Sequence, residues 1–407
     1  MRPAPAATAP STVRLDVGLL DGLGGPVGIA VSGGGDSVAL AVLMAKARPG
    51  VADVILTVDH GLRADGAAEA DAVEALGRRL GRPVVRLKVE GPPRGSLQAW
   101  ARQARYSTLA AAASAHGLAG IATGHTLDDQ AETVLLRLAR GSGLRGLAAM
   151  RPRTELYGVP VVRPLLATRR DALREALSAQ KVGWLEDPSN GDPRFDRVAM
   201  RTLAPRLAAV GLTAERLAAV AGHLARASDL VDALTADLLA EAMRVDRAGA
   251  VVLDTNRWAA AHPEVRLRAL AEAARRAGGH APRFAALASA EAALLAGAPA
   301  TLGHACAAVL GARIVLWREA RAIAPLALAA GGRGVFDGRY EVAAGPHAVV
   351  VAALGDRLPL PPPNDVHRPA VATAPGLFVD GALVAAPTFG LRAKAWASQW
   401  AILSPVR

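Results

Sequence analysis

From Val27 onward, short β-branched runs alternate with amphipathic stretches of helical length, the pattern of a parallel α/β sheet. Val27 to Val31 predicts a strand, Asp36 to Ala47 a helix closed by Pro49 and Gly50, and Val54 to Val58 a second strand. A helix from Ala67 to Leu80 stops at Gly81 and Pro83, and Val84 to Val89 makes a third strand. Ser96 is placed to cap a helix running to His116, Gly120 to Thr123 is a short fourth strand, and Leu127 to Arg140 is a helix ended by Gly141 and Gly143. Val159 to Val162 fits a fifth strand and Asp171 to Gln180 a further helix. The expected fold class is therefore α/β, with a doubly wound, mostly parallel sheet over 15–203 behind a flexible segment 1–14. Between 204 and 321, Ala, Leu and Arg recur at helical spacing with little strand signal before Ile314, which predicts a helical domain. Beyond it, turn signals at Gly331 to Gly334, Asp337-Gly338 and Asp380-Gly381 separate short Val-rich segments, so 322–407 reads as a small C-terminal domain containing strands.

Composition narrows this picture. With 52% hydrophobic and 20% charged residues, the 407-residue chain is globular in character and long enough for two or three domains. No apolar run reaches the roughly 18 residues of a membrane span, and Met1 to Ser11 lacks a secretory apolar stretch, so a cytoplasmic protein without a membrane partner is expected. The formal charge of +11 is carried almost wholly by Arg and makes a polyanion such as nucleic acid the first partner to consider. The single cysteine, Cys306, rules out an internal disulfide and any chemistry that needs two thiolates from this chain.

The candidate chemistry begins directly after the first strand, at Ser32-Gly33-Gly34-Gly35-Asp36-Ser37. Three glycines let the main chain approach a ligand closely, and the following helix N-terminus adds unpaired N–H groups and a positive dipole end. Together with the hydroxyls of Ser32 and Ser37 these make an anion cradle, where a plain glycine turn is the alternative. No Gly-Lys-Ser/Thr follows, so it is not a Walker loop, and Ser37 stands where a dinucleotide fingerprint wants glycine. An Asp inside a phosphate cradle calls for a compensating cation, so Asp36 is read as a Mg²⁺–pyrophosphate contact, with helix capping as its alternative.

This loop resembles the PP-loop of the N-type ATP pyrophosphatases, which implies cleavage of ATP between its α and β phosphates. Three further segments resemble the tRNA(Ile)-lysidine synthetase family: Val58-Asp59-His60-Gly61-Leu62-Arg63, Ala101-Arg102-Gln103-Ala104-Arg105-Tyr106, and the run from Gly124-His125-Thr126 through Asp128-Asp129-Gln130-Ala131-Glu132 to Gly146-Leu147. Arg163-Pro164-Leu165-Leu166 and Glu186-Asp187-Pro188-Ser189-Asn190 also match, and the likeness is strong over Val27 to Arg201. On the residues alone, Asp129 and Glu132 lie three apart on one helical face and could hold a cationic amine or take its proton, or could simply complement the helix dipole. His125 ends the fourth strand beside the glycine loop, where it is a nucleotide contact or a helix-entry residue. Arg102 and Arg105 form a basic face near Tyr106, and Arg137, Arg140 and Arg145 a second cluster. The resemblance adds His60 to the nucleotide site and Arg197 and Arg201 to a basic motif, in which Ala199 replaces a residue that is often basic.

What the resemblance implies is a ligase. ATP, L-lysine and the wobble cytidine of a CAU-anticodon tRNA(Ile) would give lysidine, AMP and pyrophosphate, with ATP and Mg²⁺ as cofactors. Asp36, Asp129 and Glu132 would be catalytic, Ser32 to Ser37 with His60 and His125 would bind nucleotide, and Arg102, Arg105, Arg140, Arg197 and Arg201 would meet substrate or tRNA. A homodimer stays open. Thiolating relatives need more cysteines than Cys306. The competing readings are a PP-loop amidating ligase for a small molecule and a non-catalytic nucleotide-dependent RNA-binding protein.

Overall fold

The computed structural model describes residues 13–59, 66–89, 97–186, 196–357, 366–392 and 403–405. It separates into two compact units, Met1–Ser228 and Asp229–Arg407.

The first unit contains, in order, α1 (Val17–Asp21), β1 (Gly28–Ala30), α2 (Gly35–Ala47), β2 (Val54–Asp59), α3 (Gly66–Leu80), β3 (Val84–Lys88), α4 (Leu97–Ala115) and β4 (Ile121–Thr123). It continues with α5 (Leu127–Ala139), α6 (Leu144–Leu147), β5 (Arg153–Leu156), β6 (Val159–Val162), α7 (Arg170–Ala179), α8 (Asp196–Ala209) and α9 (Ala214–Ala242), and the division between the units falls within α9. The sheet order is β3-β2-β1-β4-β6-β5. Every pairing is parallel except that of β5, an edge strand antiparallel to β6.

Both faces of this sheet are covered, which is why its central strands are continuously apolar. On one face Ile29 and Ile55 pack with Val38 to Met44 of α2, Val73 and Leu76 of α3, and Leu173 and Leu177 of α7. On the other, Leu56, Ile121 and Val161 meet Tyr106, Leu109 and Ala113 of α4. The chain leaves β1 toward β2 and β3 on one side, then crosses to β4 on the other. That reversal opens a crevice outside the carboxyl ends of β1 and β4, where ligands of such sheets bind. Both candidate loops, 31–35 and 124–126, emerge there.

In the second unit come β7 (Met243–Val245), β8 (Val251–Asp254), α10 (Thr255–Ala260), α11 (Pro263–Gly278), α12 (Phe284–Leu295), β9 (Ala300–Leu302), β10 (Ala305–Leu310) and β11 (Arg313–Arg318). The five strands form a sheet in the order β7-β8-β11-β10-β9, against which Ala269, Leu270, Ala273 and Ala277 of α11 pack. The segment expected to be helical thus also supplies strands that the sequence pattern did not reveal. β10 reads Ala-Cys-Ala-Ala-Val-Leu, and alanine carries little strand preference. Cys306 lies on β10, its thiol pushed up by burial and by Glu319. The remainder holds β12 (Leu326–Leu328), β13 (Arg333–Phe336), β14 (Tyr340–Ala343), β15 (Val349–Ala353), α13 (Arg368–Val371), β16 (Pro375–Val379), β17 (Ala382–Ala386), β18 (Leu391–Arg392) and β19 (Leu403–Pro405). These strands make the sheets β12-β15-β16-β17-β18 and β13-β14-β19. Among the described residues no single helix is long and apolar enough to cross a membrane.

Candidate active site

The glycine loop is held open by its own hydroxyls. Ser37 Oγ donates to Gly34 O at 2.8 Å and accepts from Ser32 N–H at 3.1 Å, and Ser32 Oγ lies 3.3 Å from Ser37 Oγ. The Ser37 proton is therefore engaged within the loop in this conformation, and Ser32 is the freer of the two hydroxyls. Gly33 sits at φ +85°, and a Cβ there would come within 2.8 Å of Leu185 Cδ1. Leu185 in turn donates its N–H to Gly33 O, so the segment after α7 runs alongside the loop. Gly34 caps α2 without a side-chain bond, leaving N–H groups at that helix end for an anion. Gly124 brings the β4 loop against the start of α2, since a Cβ would stand 2.8 Å from Asp36 O. This contact joins the two halves of the crevice.

Across that contact three carboxylates converge on one guanidinium. Arg170 Nε donates to Asp36 Oδ2 at 3.0 Å, Nη2 to Asp129 Oδ1 at 3.2 Å and Nη1 to Glu132 Oε1 at 3.3 Å. Arg201 Nε also donates to Glu132 Oε1 at 3.0 Å, and Arg197 Nη1 lies 3.9 Å from Asp129 Oδ1. Asp129 and Glu132 have side chains only 10% and 6% exposed. Glu132 Oε2 is buried and lacks a hydrogen-bond partner among the described residues. A carboxylate oxygen left in this way costs free energy unless something binds it.

The electrostatics follow from this arrangement. Burial pushes the Asp36 carboxyl up against the downward pull of Arg170. Burial acts the same way on Asp129, but Arg170, His125 and the Thr126 N–H outweigh it and hold that carboxyl low. Burial drives His125 down to about 4, against the pull of Asp129 and with the help of Arg163, Arg102 and Arg197. Its imidazole is neutral at pH 7, with Nδ1 2.9 Å from Thr123 Oγ1. Burial alone would lower Arg170, and the three carboxylates more than reverse it.

Asp129 has a second task, because its Oδ2 accepts from Thr126 N–H at 2.8 Å and from Thr126 Oγ1 at 2.9 Å, closing a capping box at the start of α5. The helix-start and ligand readings of this residue are thus compatible, one oxygen serving each. Arg102 lies 5.1 Å from the centroid of Tyr106, and Arg105, one turn along the same helix, lies within electrostatic range of Arg102 and Arg197. Arg137 is turned inward to the carbonyls of Gly146 and Ala149, whereas Arg145 is exposed. Arg140 makes an exposed bridge to Asp196, and among the described residues it is not paired with Asp36, Asp129 or Glu132. Ala199 is half-buried on α8, between Arg197 and Arg201. His60, Ser96 and Asp187 to Asn190 lie outside the described residues.

Arg170 escaped the sequence reading. The available signal was electrostatic: Arg169 and Arg170 place two cations at the positive end of the α7 dipole, an unfavourable position unless acids lie nearby. Those acids come from α5 and α2. Asp128 accepts from Arg170 N–H at 2.7 Å and pairs with Arg169 at 3.3 Å.

For a cation, the donor set is one carboxylate beside a phosphate cradle. Among the described residues no three His, Cys, Asp or Glu side chains are grouped as a metal cage. A Mg²⁺ bound by one carboxylate and by phosphate oxygens fits that set, since this ion commonly keeps water and substrate ligands.

The PP-loop domain family matches residues 24–207. The chain is 40% identical over 385 residues to the tRNA(Ile)-lysidine synthase of Ruegeria pomeroyi, a match covering 92% of this chain and 90% of that protein. It is 46% identical over 262 residues to that of Methylobacterium nodulans, covering 64% of this chain and 77% of the relative. A third relative, from Bradyrhizobium diazoefficiens, is 46% identical over 212 residues, or 51% of this chain and 59% of the relative. With an ATP-binding PP-loop at the sheet's switch point and likeness sustained along nine-tenths of a relative, the chain belongs to the tRNA(Ile)-lysidine synthase family.

Proposed function

We propose that this protein joins L-lysine to C2 of the wobble cytidine of a CAU-anticodon tRNA(Ile), consuming ATP and releasing AMP and pyrophosphate. The observation that supports this most is the convergence of Asp36, from the phosphate loop, with Asp129 and Glu132 on a single cation. A site that activates with ATP and then admits an amine needs an anion cradle and an ammonium nest side by side.

In this reading the cytosine C2 oxygen attacks the α-phosphate, and the α2 N-terminus with Ser32 neutralises the departing pyrophosphate. Asp36 would hold a Mg²⁺ whose charge offsets the phosphates. The lysine ε-ammonium would seat against Asp129 and Glu132, whose unpartnered Oε2 can accept its proton. The freed amine then bonds to C2 and AMP leaves. His125, kept neutral by burial, would meet the nucleotide without adding charge. Arg102, Arg105, Arg197 and Arg201 offer cations for RNA phosphate, while Arg140 stands apart. Residues 204–321 and 322–407 would read the tRNA, the larger part of them within the single compact unit Asp229–Arg407, and the reaction would run in the cytoplasm, by a homodimer if the chain self-associates.

The test is an assay of AMP and pyrophosphate with tRNA(Ile) transcript and lysine, followed by mass analysis of the nucleosides. Release that requires both substrates, with a cytidine heavier by one lysine less water, is the expected result. Release indifferent to tRNA would favour a small-molecule amidating ligase, and no release would favour a non-catalytic RNA-binding protein.

A further inference from the structure

Arg170 contributes one positive charge to three carboxylates that belong to two different half-sites. Asp36 lies on the phosphate side, and Asp129 and Glu132 on the amine side. The guanidinium is a rigid planar fork, and each of its three nitrogens serves one carboxylate. Drawing Asp36 away therefore tilts the plane that meets Asp129 and Glu132. Its side chain is 13% exposed, so it is a desolvated ion among carboxylates and not a solvated surface charge. The arriving ligands are themselves cations at these positions, a metal-bound nucleotide at Asp36 and an ammonium at Asp129 and Glu132.

We propose that Arg170 is a tethered stand-in for both cations, a positioning residue whose displacement couples nucleotide binding to lysine binding. Whichever ligand enters first detaches the guanidinium from the whole cluster. The free-energy cost of that detachment is then incurred once for two ligands, so each raises the affinity of the other by the same factor. Before either ligand arrives, Arg170 keeps the three acids from repelling one another and competes with free lysine. Lysine would then bind well only beside bound nucleotide. The proposal rests on the assignment of Asp129 and Glu132 to the amine.

The experiment is calorimetric titration of L-lysine into the full chain, with and without Mg²⁺ and α,β-methylene ATP, which cannot be cleaved at the relevant bond. The expected result is lysine affinity about tenfold higher with the nucleotide present, within the usual range of coupling. In Arg170→Gln the coupling should fall to within about twofold, and lysine should bind more tightly than in the unaltered chain when nucleotide is absent. A purely structural role could not produce that gain. Arg170→Lys, which keeps the charge but cannot fork, should retain an intermediate coupling and supplies the test if the Gln variant does not fold. Lysine binding that ignores nucleotide in the unaltered chain, or coupling unchanged in either variant, overturns the proposal alone. Lysine binding that is absent, or that is indifferent to Glu132→Gln, overturns the amine-site assignment and this proposal with it.

Discussion

Each of the two units carries a buried cluster of Arg and Asp or Glu side chains, and the two clusters are built on opposite principles. In the second unit Asp337 lies between Arg318 and Arg339, accepting from Arg318 Nε at 2.7 Å and from Arg339 Nε at 2.9 Å. Further donors are used as well, Arg318 Nη1 on His304 O and Arg339 Nη2 on Thr373 O. All three side chains are at most 5% exposed, and the cations outnumber the acid. In the first unit three acids share the central Arg170, with the half-exposed Arg197 and Arg201 beside them, and one buried carboxylate oxygen is left over. A saturated cluster ties chain segments together, whereas an unsaturated one keeps capacity for something yet to bind.

Four changes would break or sharpen that contrast. Asp337→Ala should have the largest effect, about 3–5 kcal/mol of lost stability, because it leaves two buried guanidiniums without their counter-ion. Urea unfolding measures it, and ATP binding by the folded fraction should be unchanged. Asp36→Ala in the open cluster should do the reverse, lowering pyrophosphate release by about 10²–10³-fold with little change in the unfolding midpoint. Equal losses of stability from the two substitutions would erase the distinction drawn between the clusters.

The third change is in pH. His125 has its pKa depressed from 6.5 to about 4 in the folded chain, so it is neutral there while the unfolded form takes up a proton. Its contribution to stability is complete above pH 6.5 and is lost as the pH falls toward 4, by roughly 2–3 kcal/mol. Urea midpoints at pH 7.5 and 4.5 should therefore differ more in the unaltered chain than in His125→Asn. The smallest effect belongs to Arg140→Ala. Its bridge to Asp196 is 65% and 66% exposed, so under about 1 kcal/mol is expected, and a larger loss would mean the bridge is more than a surface pair.

The sheet of the first unit was readable because its signals are local. Every strand and helix expected between Val27 and Gln180 appears within about two residues of its place. The edge strand β5 was missed because Arg-Thr-Glu-Leu has no apolar run, its partner being only a neighbouring hairpin strand. The strands of 243–310 were missed for a different reason. They are three to six residues long, β10 is Ala-rich, and what holds them as strands is their pairing and their packing on α11.

The site divides in the same way. Spacing along the chain was sufficient to pick out the glycine loop and the paired acids one helical turn apart, because each depends on contacts within a few residues, whereas Arg197 and Arg201, which lie beside those acids, came from the family resemblance. The meeting of Asp36 with Asp129 and Glu132 depended on the crossover that lays β4 beside β1, and on Gly124 being small enough to let the loops touch. Arg170 reaches its three partners across 134, 41 and 38 residues of chain, separations over which no periodicity carries information. The amino-acid order determined which groups could bind phosphate, amine or metal. Only the folded chain decided which of them share one charge, because Coulomb attraction in a desolvated crevice acts on distance in space and not on distance in sequence.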